Sequence, residues 1–419
     1  MSGIRVNEWL HNSGTGGIWQ TSAGNVGIAS SVPTAKLVVT GDVNVSGALT
    51  ATNFNGGQLG NRNLIINGAM QVAQRATTST TSGYASLDRM RVQFVGHDEA
   101  MTHAQHALTS SDTGPWAEGF RHSLHITNGN QTGGAGAGDY SRLEYNIEAQ
   151  DMASCGWDYT SPASHLTLTY WVKSSVAQNF HNYMRAPDGT AQGYSWETGT
   201  LTADTWKKVT KTIPGNANLT FDNDANTGLA LSFSLFFGTN FTDSGNTMNA
   251  WAAYASANRM PDNTSTWYTT NDSTYEITGI QLEVGSVATP FEHRSYADEL
   301  LRCQRYYQVV VRGADYGSGI APICNVIGYQ ANNAFGVHHL PVTMRTEPTL
   351  DAVTGTAYWK VFRNAGNGDF NSIQLDQCSN SHIELNFYGV SSGTSIAQDQ
   401  PGWARSNDSS AFIGITAEL

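Results

Sequence analysis

Apolar and polar residues alternate along most of this chain. In HLTLTYWVK, Leu166, Leu168, Tyr170 and Val172 fall on one face of an extended segment, and Thr167, Thr169 and Trp171 on the other. In GLALSFSLFFG, Leu231, Phe233, Leu235 and Phe237 share a face opposite Ser232 and Ser234. The same period of two predicts strands over 89–95, 101–108, 121–127, 140–147, 206–213 and 274–284. A second group follows at 306–312, 323–329, 357–363, 382–388 and 411–417. Each strand then has one core face and one wetter face, as antiparallel sheets stacked in a sandwich do.

One segment breaks the rhythm. Ile280, Leu282 and Val284 alternate with Gln281 and Glu283 until Gly285-Ser286. Ser295, with Asp298 three residues on, then reads as a capping-box-like helix start. Tyr296, Leu300, Cys303 and Tyr307 follow at i, i+4, i+7 and i+11, one helical face. Asp298 and Glu299 in the first turn and Arg302 and Arg305 near the end suit the helix dipole, and Asp298 can pair with Arg302. The spacing predicts that the four-residue face is buried, against the adjoining β module or around an axis of symmetry.

Residues 1–60 differ again. Their apolar signals are thin: Val26, Ile28, Leu37 and Val39, then Val43, Val45, Leu49 and Phe54, among Gly, Ser, Asn and Thr. A single copy of such ribbons cannot enclose a core. Either they are disordered or identical chains supply the missing walls, with Val43, Val45 and Leu49 packing between copies.

Composition narrows the picture. Charged residues make up 13% of the 419 positions, against about 25% in an average soluble protein. Few helices and many strands and turns follow. The net charge of -12 repels a phosphate backbone, so no nucleic-acid partner is expected. No apolar run approaches the roughly 18 residues that span a bilayer, so no membrane insertion is expected. MSGIRVNEWLHN lacks the apolar core of a signal peptide, and assembly in a cytoplasm is the expectation. Cys155, Cys303, Cys324 and Cys378 show no CxxC spacing and read as free thiols.

Candidate chemistry is sparse. Gly389-Val390-Ser391-Ser392-Gly393 matches GxSxG, but TSIAQDQPGW after it is a poor helix for a nucleophile elbow, and a hairpin turn is expected instead. Asp222, Asp224 and Asn226 begin like a calcium loop, yet the glycine falls one place late and Phe233 stands where the bidentate Glu belongs. His97, Asp98, Glu99, His103 and His106 are close in sequence, but on a strand His103 and His106 point to opposite faces. His122/His125 and His338/His339 do not converge either. No metal or cofactor is expected. Carboxylates for glycoside cleavage meet only in a fold, and the repeats of a long β-helical body are missing. Aromatic residues are the stronger lead. Trp171, Tyr183, Trp196, Tyr358, Trp359 and Trp403 lie near turns or on wet faces. Flat rings suit the C–H faces of sugars, although each could equally pack under a loop or against a neighbouring chain.

Three stretches carry a resemblance. ITGIQLEVGSVATPFEHRSYADELLRCQRYYQ, NLIINGAMQVAQR and the closing AFIGITAEL resemble signature segments of tailed-bacteriophage tail fibres and related virion proteins. GNVGIASSVPTAKLVVTGDVNVSGALTA resembles their shaft and attachment repeats, which intertwine as trimers. The order LTLTYWVKSS, TWKKVTKTIPG, ITGIQLEVG resembles carbohydrate-binding jelly rolls. The resemblance implies an all-β homotrimer: residues 1–60 attach to the virion and form a β shaft, and 61–294 form a jelly-roll β-sandwich. Residues 295–308 form a short linker helix, and 309–419 a C-terminal β-sandwich that acts as the distal, receptor-binding tip, with sugar binding on the jelly roll as the competing view. It further implies a non-enzymatic virion protein that joins a tail or capsid adaptor and recognises a host-surface receptor, a glycan above all. A capsid-attached decoration protein and a polysaccharide-degrading tailspike are the alternatives.

Overall fold

The alternating segments become strands, and those of residues 61–294 build a two-sheet jelly roll. The computed structural model describes residues 8–10, 17–40, 43, 60–330, 332–364, 366–393 and 396–419. One sheet runs in the order Lys207–Pro214, His165–Ser174, Thr274–Val284, His122–Thr127, Thr102–Ala107, Thr78–Ser79. The other runs Trp251–Ala253, Gln192–Glu197, His181–Ala186, Thr227–Phe237, Tyr140–Glu148, Arg91–Val95. Pairing is antiparallel throughout these two sheets. The chain steps repeatedly from one sheet to the other, so their inner faces close on a shared core. Leu166, Leu168, Tyr170 and Val172 lie fully buried in it, as their alternation requires.

Two bulges refine that pattern. Trp171 pairs with Thr278 but Thr169 pairs with Gln281, and Gly279 sits in the slack at φ +63°. A Cβ there would lie 2.6 Å from the Phe120 ring, so both backbone and space require glycine. A second irregularity lies between Ser234 and Phe236. It turns Phe236 into the core, while Phe237 joins Tyr183 and Met260 on the opposite side of the sheet. Phe237 therefore does not share the face of Leu231, Phe233 and Leu235, because one extra residue inverts the period of two.

Helix α1 spans Ala149–Ser154, α2 spans Thr266–Thr269 and α3 spans Tyr296–Gln304. The Ser295 hydroxyl caps α3, accepting from the Asp298 amide and donating to its carboxylate. The buried stripe differs from the expected face. Cys303 is buried and Leu300 half-buried, but Tyr296 is 57% exposed. Tyr307 is buried in the following strand, Tyr307–Arg312, because the helix stops at Gln304. The inward position next to Cys303 is Glu299, drawn in by the Asn67 amide and by Arg294. Arg302 donates to Asn61, since the cap already engages Asp298.

The three stretches that carry the resemblance converge beside α3. Asn63 hydrogen-bonds the backbone of Ile280 and Leu282, and Gln74 donates to the Tyr307 carbonyl. Arg75 and Arg89 both bind the Glu418 carboxylate. Their guanidinium groups stack on Tyr307 and Tyr306, 3.6 and 3.5 Å from the ring centres. Tyr306 donates to Glu148 at 2.5 Å, and Arg305 grips the same fully buried carboxylate with two contacts of 2.7 Å.

The C-terminal segment is not a second sandwich. Tyr307–Arg312, Phe412–Thr416 and Thr349–Val353 form a three-stranded sheet, its closing strand central. Between them Pro322–Gln330, Asn333–His339, His382–Gly393, Gly366–Cys378, Trp359–Arg363 and Pro401–Ser406 close into a six-stranded barrel. Closure removes the open edges a small sandwich would leave. GxSxG lies at the end of strand His382–Gly393, with Ser391 opposite no partner at a bulge, and is neither an elbow nor a hairpin turn.

Residues Met1–Phe54 and Asn55–Leu419 form separate compact units. In the first, Glu8–Leu10, Gly17–Gln20, Val26–Ile28 and Leu37–Val39 make a four-stranded sheet whose last pair is parallel. Ile18, Ile28, Val32, Leu37 and Val43 are 40–76% exposed, and no apolar cluster forms among the described residues of this unit. Val45 and Leu49 lie outside the described residues.

Candidate ligand cleft

The face of the second sheet turned away from the core carries a cleft of about 340 Å³. Strand alternation decides what points into it. Along Tyr140–Glu148 the inward residues are Leu143, Tyr145 and Ile147, so Arg142, Glu144 and Asn146 project outward. Register aligns rows across the sheet. Arg91, Glu144, Ser232, Tyr183 and Ser195 form one, and Asn146, Ala230, Arg185, Gly193 and Ala252 the next. Ser232 and Ala230 make a shallow floor. Tyr254, whose ring lies over Gly193, and Arg259 come from the segment after Trp251–Ala253 and form one wall.

Four arginines and one glutamate are the charged side chains of the lining, and Leu419 lies beside them, its carbonyl accepting from Asn146 at 3.2 Å. Glu144 binds Arg91 at 2.9 Å and Arg142 at 2.7 Å. Arg142 also donates to Gln93 and to the Tyr183 hydroxyl. Burial works against the Arg142 charge, yet Tyr183 and Glu144 hold its pKa above the ordinary value. Burial pushes the Tyr254 hydroxyl up, with a further push from Tyr183 and opposition from Arg259 and Arg185. Arg259 stacks on Phe241 at 4.7 Å and donates to the Ser256 carbonyl and the Tyr183 hydroxyl. Arg185 is exposed and stacks on Tyr254 at 4.7 Å. The arrangement can hold a polar ring through several donors and fix an acceptor-rich group.

Of the aromatic candidates, Tyr183 reaches this cleft, its ring buried and its hydroxyl among the arginines. Trp196 does not. It is fully buried in the sandwich core, donating to the Tyr170 hydroxyl at 3.1 Å, because its place in Gln192–Glu197 points inward. Trp171 lies half-buried against Gly114, and its indole donates to Glu118 at 3.0 Å. Trp359 is fully buried in the barrel, and Tyr358 is half-buried against Gly355. Trp403 is 45% exposed beside Phe362, on a barrel face that also exposes Ile327, Tyr329 and Val337. Arg91, Arg142, Arg185 and Arg259 were not legible as a group, since strands far apart in sequence bring them together.

One other cluster gathers metal-ligand chemistry. On the outer face of the first sheet, Glu276 lies 3.2 Å from His106 Nδ1 and 3.3 Å from His125 Nδ1. His103, one turn of the alternation away, is buried and bonds Ser86 instead. Ser123 and Lys173 each reach Glu276 at 2.8 Å, and Lys173 also pairs with Asp112. Burial raises the Glu276 pKa, but His125, Lys173 and Ser123 outweigh it and hold the carboxyl well below the usual range. Lys173 already supplies the cation that this carboxylate calls for. The cysteines are unpaired, and Cys303 alone is fully buried, its thiol pushed up by burial.

No family model and no curated protein matches this sequence. Among solved structures, the enzymatically active domain of tailspike protein 4 from bacteriophage CBA120 is 10% identical, with a TM-score of 0.27 over 53% of this chain and 21% of that one. The match thus spans about a fifth of the tailspike domain. The N-terminal cellulose-binding domain of a Cellulomonas fimi β-1,4-glucanase is 12% identical, with a TM-score of 0.24 over 51% of this chain and 97% of that one. A family 11 carbohydrate-binding module from Clostridium thermocellum gives 10% identity and 0.22 over 51% and 98%. Superpositions this loose carry no argument about ligand or assembly.

Proposed function

We propose that this chain is a glycan-binding fibre protein of a bacteriophage virion, without enzymatic activity, and that it works as a homotrimer. The cleft beside Tyr183 carries the binding part of the reading. It falls in the size range of small-ligand sites, its floor is built of small residues, and its walls combine aromatic rings with fixed donors. The virion role rests on the three sequence stretches and on the exposed apolar residues of the first unit. Residues 1–60 would reach a tail or capsid adaptor.

Binding of the full chain to host cells tests the reading, compared with Ala230→Trp, which fills the cleft floor. Wild-type binding that disappears in the variant, with thermal unfolding unchanged, is the expected result. Equal binding by both removes the cleft from receptor recognition. Release of new reducing ends from host polysaccharide would make the protein an enzyme. A second reading has its own observation. Trp403, Tyr329 and Ile327 are exposed on the barrel, and a receptor there would survive Ala230→Trp but not Trp403→Ala.

A further inference from the structure

The chain is acidic, with a net charge of -12, yet the side chains that line its cleft carry four guanidinium groups against one carboxylate, with Leu419 also in the lining beside Asn146. Structure accounts for two of the four. Arg91 and Arg142 share Glu144, and that carboxylate is matched from both of its oxygens. Among the described residues, Arg185 and Arg259 have no carboxylate partner. Among the described residues Arg185 has no hydrogen-bond partner either: its guanidinium lies over the Tyr254 ring, and the residue is exposed in the cleft lining. Arg259 uses its Nε on a backbone carbonyl and one Nη on the Tyr183 hydroxyl at 3.4 Å. Both guanidinium groups thus lie 4.7 Å from the centre of an aromatic ring, with donors left over.

Such an arrangement is suited to a planar or tetrahedral anion. A stacked guanidinium is oriented in advance, so it gives up less freedom when it forms a two-pronged contact with a carboxylate, phosphate or sulfate.

We propose that the cleft selects acidic glycans, with the anionic substituent held by Arg185 and Arg259 and the sugar ring seated on Ser232 and Ala230 against Tyr254. This rests on the glycan reading above and names its ligand class. Neutral sugars would satisfy the floor and the tyrosines but leave Arg185 unpaired.

The test uses the full chain and calorimetric titration. The probes are sialylated, uronate-containing, phosphorylated and sulfated oligosaccharides, each with its neutral counterpart made by carboxyl reduction or by removal of the ester. The expected result is that at least one acidic probe binds at least about tenfold more tightly than its neutral partner. Its affinity should fall about tenfold in Arg185→Ala and decline as salt is raised. Arg185 is exposed, so that variant should fold as the wild type does, and Arg185→Lys should recover part of the affinity. The source of the anion follows from which probe binds. Equal binding of an acidic probe and its neutral partner overturns the proposal and leaves the glycan reading standing. So does binding that Arg185→Ala leaves unchanged. Binding of neither class overturns both. Capture of an acidic peptide in place of any sugar overturns both and makes the cleft a protein-docking site.

Discussion

Glu148 shows how one residue decides whether two modules hold together. Its carboxylate is fully buried and receives Arg305, Tyr306 and Gln150. Burial alone would raise its pKa, but these hydrogen bonds prevail and hold it below the usual carboxylate value. A depressed folded pKa stabilises the protein at pH values above the unfolded one, near 4.3, and that contribution is lost as pH falls through the folded value. Unfolding titrations between pH 7 and 2 should therefore show an acid-side loss in the wild type that is smaller in Glu148→Gln. The two partners should also differ. Arg305→Ala leaves a buried charge unmatched and should cost about 3–5 kcal/mol. Glu148→Gln leaves a guanidinium that is about a third exposed, and should cost about 2–3 kcal/mol. Equal costs in urea unfolding would refute that asymmetry. None of this was legible in RCQRYYQ itself. The period of 3.6 picked out Tyr296 and Tyr307, but polar partners far away in sequence, Asn67 in a turn and Glu148 at the end of a strand, drew in Glu299, Arg305 and Tyr306 instead.

At the scale of elements, most strands of the first module were legible to within about two residues, because packing on a shared core imposes an alternation on each of them. His165–Ser174 follows the sequence pattern directly, and Thr274–Val284 follows it on either side of its bulge. Strands were missed where alternation fails. His181–Ala186 and Gln192–Glu197 carry Arg185 and Gly193 toward the cleft, and Gly366–Cys378 is mostly polar around Phe370 and Ile373. Bulges were missed because they add a residue without changing composition. Gly279 is the clearest case, a glycine fixed by a positive φ and by the Phe120 ring at 2.6 Å from where a Cβ would stand. Gly279→Ala should destabilise by about 1–3 kcal/mol, from strain alone, with repacking of Phe120 in addition. Leu300→Ala should cost less than the roughly 2–5 kcal/mol of a fully buried leucine, since Leu300 is half-buried. Thermal unfolding of the two variants checks both, and a larger loss for Leu300→Ala than for Gly279→Ala would reverse the ranking.

For the whole molecule, the contrast between the two units is thermodynamic. The Asn55–Leu419 unit holds two large apolar cores, one in the sandwich and one in the barrel and its adjoining sheet. The described residues of the Met1–Phe54 unit form four short strands and leave Val32 76% and Val43 65% exposed. A lone chain would keep that surface wet at about 25 cal/mol per Å² of apolar area. Three parallel copies would remove it from water, and the low charge of this stretch, Arg5 and Lys36 against Glu8 and Asp42, neither opposes nor drives the contact. The full chain should therefore run in light scattering as a trimer of 45.1 kDa chains at micromolar concentration. Deleting residues 1–60 should abolish particle attachment while the remaining cores unfold within a few degrees of the full-length protein. A full-length monomer would refute the trimer. A truncated form that remains trimeric would move the interface to the second unit, whose exposed apolar residues include Tyr329 at 67% and Ile327 at 50% on the barrel and Tyr296 and Leu301 on α3.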